Sequence, residues 1–197
     1  MHTPVTQEIG SRQRRLHRTR AAAFLAGLDN SCTEEELRNI DWDSLLLVPH
    51  WCFLPPDARR YLQLLCGALF IAPSMVRWID GQPIQSVCRL IGYQAYTDII
   101  NAVEHRCDPQ DPMDNAVENV LLHCGENVLL GAIEHKGIQM SVRSLFSEDA
   151  DPLETLTATA LYQQALVIHD RLMTESVQVN DPSCSIESMP EQAVEIA

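Results

Sequence analysis

Apolar residues recur at helical spacing through most of this chain, and proline, glycine or aspartate marks the breaks between the apolar stretches. Residues 6 to 28 form a basic segment in which Leu16, Ala23, Phe24 and Leu28 can share a stripe, ended by Asp29-Asn30-Ser31. Thr33 followed by Glu36 has the form of a capping box, and the acids at 34 to 36 favour the positive end of a helix dipole. The pattern predicts a short helix from there to near Leu47, before Pro49. Pro55-Pro56-Asp57 opens the clearest helix, which runs to about Ile71. Proline is tolerated in a first turn because the amides there lack intrahelical partners. Tyr61, Leu62, Leu65, Cys66, Leu69 and Phe70 make this helix apolar on most sides, which predicts a central position. Pro73 starts a short helical stretch, Ser74 to Ile79, stopped by Asp80-Gly81. Pro83 begins another helix, closed by Gly92 as a left-handed cap, and a further helix runs from Tyr93 to about Arg106.

Asp108-Pro109-Gln110-Asp111-Pro112-Met113-Asp114 reads as the main loop, with Asp114 as N-cap of a long helix to His135. Within it Glu-Asn-Val-Leu-Leu occurs at 118–122 and again at 126–130. That step is about two helical turns and keeps both copies on similar faces. Residues 138 to 146 are ambiguous, since their alternation also suits a strand. Asp151-Pro152 opens a last helix to about Met173. The expected fold class is all-α: a basic amphipathic arm over 1–30, a compact multi-helix core over 31–173, and an acidic, flexible, disordered tail over 174–197.

Composition sharpens this picture in two ways. The formal charge of −13 is uneven: Arg12, Arg14, Arg15, Arg18 and Arg20 sit in the arm with Glu8 as the only acid beside them. From residue 21 onward, nine basic residues face twenty-six acids. Such a body repels nucleic acid and anionic lipid, so contact with either has to run through the arm. The arm has the arginines of a targeting segment, but Ala21 to Leu28 is a short apolar run, followed by Asp29-Asn30 where a cleavage site should be. No apolar stretch approaches the roughly 18 residues of a membrane span. Seven cysteines, an odd number without a Cys-x-x-Cys pair, read as buried reduced thiols of a cytoplasmic protein.

Candidate chemistry is sparse. His105, Cys107, His123, Cys124 and His135 are the one metal-like group. A zinc site needs three or four converging ligands, whereas adjacent His123 and Cys124 point about 100° apart on a helix. Asp108, Asp111 and Asp114 lack the glycine and the terminal glutamate of a calcium loop. No nucleophile elbow, phosphate-binding glycine loop or His-Glu-x-x-His occurs. These readings predict no enzyme, no metal, no cofactor and no small-molecule substrate. Trp42, Trp51 and Trp78 fall at segment ends, where tryptophan caps a core edge or anchors a partner.

Leu54-Pro55-Pro56-Asp57 with Gly67-Ala68-Leu69, then Met75-Val76-Arg77-Trp78-Ile79-Asp80-Gly81, then Leu90-Ile91-Gly92, resembles the SctK/YscK/OrgA family of cytoplasmic sorting-platform proteins in bacterial type III secretion. The resemblance covers roughly residues 50 to 105 and rests mostly on helix punctuation. It implies a helical adaptor that bridges the inner-membrane ring and the pod protein, above the export ATPase, and so meets the membrane only through protein partners. On that reading Arg59, Arg60, Arg77, Trp78 and Asp80 are the candidate partner-binding residues. Two other readings stay open: a nucleic-acid-associated regulator using the basic arm, and an enzyme with a Cys/His or metal site.

Overall fold

A glycine in the middle of an apolar helix removes the side chain that would hold a neighbour away, and two such glycines set the centre of this molecule. The computed structural model describes residues 4–28, 41–79, 81–102 and 117–179. Among them, seven α-helices and three short 3₁₀ segments occur and no strand, so the fold is all-α. The α-helices are α1 (Pro4–Ala26), α2 (Pro56–Met75), α3 (Gly81–Ile91), α4 (Tyr93–Asn101), α5 (Val117–Gly131), α6 (Lys136–Val142) and α7 (Thr155–Val179). None is long and apolar enough to cross a membrane.

Helices α2 and α5 form the most extensive contact. A methyl group placed on Gly67 would lie 1.9 Å from the Leu121 carbonyl oxygen, and one on Gly125 would lie 2.0 Å from that of Gln63. Each helix therefore presents a glycine to the other's backbone, four residues from the point where its own backbone is met. Gln63 seals the crossing: its amide Nε2 donates to the Leu122 carbonyl at 3.0 Å and to Glu126 Oε1 at 3.2 Å. Leu62, Leu65, Cys66, Leu121, Val128 and Leu129 fill the surrounding core with essentially no exposure. Helix α7 packs on both members of the pair, while α3 and α4 flank α2. The Tyr61 hydroxyl donates to the Ile91 carbonyl at 2.9 Å, fastening the end of α3 to α2. Arg171 pairs with Asp98 between α7 and α4.

The central position predicted for the Pro55-Pro56 helix is observed, and several boundaries are corrected. Residues 74–79 are not a separate helix, because α2 runs through Pro73 to Met75. So close to the helix end, proline costs little, and the chain then tightens through Arg77 N–H to the Ser74 carbonyl and Trp78 N–H to that of Met75. The helix expected to reach His135 ends at Gly131, where a Cβ would fall 2.2 Å from the Leu153 carbonyl oxygen. Residues 138–146 are α6 and a 3₁₀ turn, not a strand; Ile138, Ser141 and Val142 are buried at helical spacing. Helix α7 continues past Met173 to Val179, since no breaker precedes Asn180-Asp181-Pro182. Gly92 has φ +87° between α3 and α4, as its reading as a cap requires. The capping box at Thr33, the loop from 108 to 114 and the tail beyond Val179 lie outside the described residues.

The Glu-Asn-Val-Leu-Leu repeat shows how one pattern is used twice. Both copies turn Leu121 and Leu129 into the core. In the first, at the helix start, Glu118 is exposed and pairs with Arg60. In the second, Glu126 receives the Ser147 hydroxyl, and Asn127 Oδ1 accepts the Asp151 amide at 2.8 Å. The second copy thereby anchors the connection from α6 to α7.

Candidate functional site

The 41–54 segment is where the basic arm meets the body. Asp41 starts it: Oδ1 accepts from the Ser44 amide at 2.7 Å and its hydroxyl at 2.8 Å. The Ser44 amide, then its hydroxyl, hold the Asp41 carboxyl below the usual range. Two 3₁₀ turns follow, Ser44–Leu47 and His50–Phe53, with Pro49 extended between them. They turn Leu45, Val48, Trp51 and Cys52 inward. Trp51, expected at a core edge, is instead completely buried and meets Phe146 edge-on at 5.6 Å. A 3₁₀ turn points every third residue the same way, so Leu45, Val48 and Trp51 become one buried row.

The outer side of this segment is a cradle for α1. His17 Nε2 donates to the Val48 carbonyl at 3.0 Å, which fixes the proton on that nitrogen. Phe53 is ringed edge-on by His17 at 5.3 Å, Phe24 at 5.9 Å and His50 at 6.2 Å. Arg18 pairs with Asp43, and its guanidinium lies 5.7 Å from the centre of the Trp42 ring. Ala21 and Leu25 are buried beneath α1.

Docking stops at His17. Residues 11–16 of α1 are all exposed, Arg12, Arg14 and Arg15 among them. Arg14 precedes the fully buried Ala21 by about two turns and so shares its face, yet it meets water. The helix therefore overhangs the cradle. The exposed stretch from Ser11 to Leu16 is about 8 Å long at the α-helical rise. Among the described residues Arg18 is engaged by the body, through Asp43, and Arg20 is exposed on the docked part.

The residues singled out by the resemblance are not brought together. Arg59 and Arg60 lie at the start of α2, Arg59 half-buried and Arg60 exposed and paired with Glu118. Arg77 is exposed and Trp78 half-buried just past the end of α2, about 22 Å away at the helical rise. Asp80 lies outside the described residues.

The Cys/His chemistry fares similarly. His123 is exposed, Cys124 is buried, and His135 is a cap whose Nδ1 accepts the Ile138 amide at 3.3 Å. His105 and Cys107 lie outside the described residues, as do Asp108, Asp111 and Asp114. Among the described residues no three such side chains converge on a metal position. Burial pushes the Cys52 thiol up to about 12 against a small opposing pull from Arg59, and raises Cys66 and Cys124 as well. These thiols stay protonated near neutrality and are poor nucleophiles. Among the described residues, one open groove of about 400 Å³ lies between α3 and the start of α5 and another of about 400 Å³ between the cradle and α7. Comparison with family models, with curated proteins and with solved structures finds no match.

Proposed function

We propose that this chain is a non-enzymatic cytoplasmic adaptor of a bacterial type III secretion sorting platform, linking the inner-membrane ring to the pod and ATPase complex through protein contacts. One observation carries the adaptor part: a helix firmly seated over its second half and exposed at every residue from 11 to 16, on a body in which Cys52, Cys66 and Cys124 are buried. A stable globular domain has no need of such an overhang, and a bridging protein does. The placement of the singled-out residues adds to this. Arg59 and Arg60 at one end of α2 and Arg77 and Trp78 at the other give a rigid spacer with two separated ends, as a bridge between two partners requires. The secretion-platform part rests on the resemblance over residues 50 to 105, which spans α2 to α4.

The test is affinity capture of the tagged full-length chain at moderate salt from bacteria expressing a type III secretion system. Recovery of ring, pod and ATPase proteins supports the platform reading. A clean preparation holding none of them, from cells shown to be secreting, overturns it.

A further inference from the structure

We infer that the overhanging half of α1 is a docking helix for an acidic protein segment, gripped by Arg12, Arg14 and Arg15 around the exposed Leu16. This deepens the adaptor reading and rests on it for the existence of a partner. It does not depend on which machine that partner belongs to.

Three observations lead to it. First, the overhang is held in place for a reason other than its own stability. His17, Arg18 and Phe24 make five specific contacts with the cradle, all within the docked half. The half that carries most of the free charge is thereby fixed in direction, because it continues a helix whose other end is anchored. Second, Arg14 lies on the face that the cradle covers two turns later, and among the described residues it is exposed. A surface-lying amphipathic helix would put an apolar residue at that register and its arginines outside. Arg12, Arg14 and Arg15 instead fan around the helix, so a ligand can reach cations from more than one side. Third, Leu16 is 53% exposed one turn from Arg12, on the same side of the helix.

Those features choose among anionic ligands. Single-stranded nucleic acid is held by cations combined with aromatic stacking, and no Phe, Tyr or Trp lies between Arg12 and Arg20. A body carrying a balance of −17 from residue 21 onward also repels a polyanion as it approaches. An amphipathic acidic helix or loop answers both the cations and Leu16, and its charge is short enough to be met locally. The pairing of Arg18 with Asp43, beside the Trp42 ring, is the same recognition carried out within the chain.

The test uses the full-length protein, a glutamate-rich amphipathic helical peptide, a DNA duplex and phosphatidylserine vesicles. Binding of the peptide that weakens about tenfold or more in the triple variant R12Q/R14Q/R15Q is expected. Glutamine keeps helix propensity, so circular dichroism should be unchanged, and R89Q/K136Q, at two exposed cations of the body, should bind the peptide as the parent does. Equal peptide binding by the triple variant overturns the inference. So does tighter binding of the duplex or the vesicles than of the peptide, which would make the arm a nucleic-acid or lipid contact. Repeating the capture with the triple variant separates the two readings. Loss of one captured partner supports the inference, an unchanged set overturns it while leaving the adaptor reading standing, and an empty capture by the parent bears on the platform reading alone.

Discussion

Helices α2 and α5 meet backbone to backbone, and α1 meets the 41–54 cradle through a few side chains; the two contacts follow opposite rules. At the α2–α5 crossing, Gly67 and Gly125 admit the partner's carbonyl so closely that a single methyl group has no room. The contact is broad and mostly apolar, with Gln63 and the Arg60–Glu118 pair as its polar members. At the cradle the contact is built from one histidine hydrogen bond, one ion pair and an edge-on aromatic cluster around Phe53. It fixes the direction of α1 and leaves residues 11–16 of that helix in water. The first contact holds the fold together, and the second presents a surface.

The largest effect expected is at the crossing. Gly67→Ala or Gly125→Ala forces a backbone shift and should cost about 3 kcal/mol or more, read from the urea midpoint. A loss below about 1 kcal/mol would show that the helices can slide apart and that the crossing is not as tight as described. At the cradle, Phe53→Ala should cost about 2 to 3 kcal/mol, less than a fully buried phenylalanine because the ring is only partly covered. Its mark is selective: proteolysis at the arginines of α1 should accelerate while amide protection in α2 and α5 persists. If α1 is cut no faster, the cradle is not what holds it.

The next expectation concerns alkaline pH. Cys52 titrates near 9.0 when solvated and near about 12 in the fold, with Cys66, Cys124 and Tyr162 raised in the same direction by burial. The folded state therefore holds protons that the unfolded state gives up, and stability should fall as pH rises from 9.0 toward 12. Cys52→Ala should flatten part of that fall. A midpoint that stays level across this range would mean that the thiols are hydrated. Arg18→Gln removes a largely exposed ion pair and a cation–π contact, for about 0.5 to 1 kcal/mol, with a salt dependence that Phe53→Ala lacks. Smallest of all, R12Q/R14Q/R15Q should change stability by less than about 0.5 kcal/mol, since those side chains touch nothing among the described residues. A larger destabilisation would mean that the overhang has an intramolecular role.

Much of the fold was legible because helices announce themselves locally. The proline start of α2, its apolar perimeter and the glycine between α3 and α4 are all properties of a few neighbouring residues. The differences lie where distant contacts matter. Leu153 comes close to Gly131, where α5 ends short of His135, and Ile138 to Val142, ambiguous in the pattern, is helical with Ile138, Ser141 and Val142 buried; neither contact is local. The candidate site was less legible. The arginine cluster of the arm stands out in the chain, but nothing in the pattern separates Arg18, which pairs with Asp43, from Arg14, which is exposed. The pairing of Arg18 with Asp43 spans 25 residues. Residues 54 to 92 drew attention by their punctuation, and punctuation records where helices begin and end, with no information on what they meet.

By itself the sequence determined the all-helical class, the central place of α2 and the separation of a basic arm from an acidic body, because propensity, periodicity and charge are carried by each residue with its near neighbours. Tertiary structure alone decided which glycines became contact points, which tryptophan was buried and where along α1 the body stops. Those outcomes depend on surfaces that only come together when helices far apart in the chain are packed against one another.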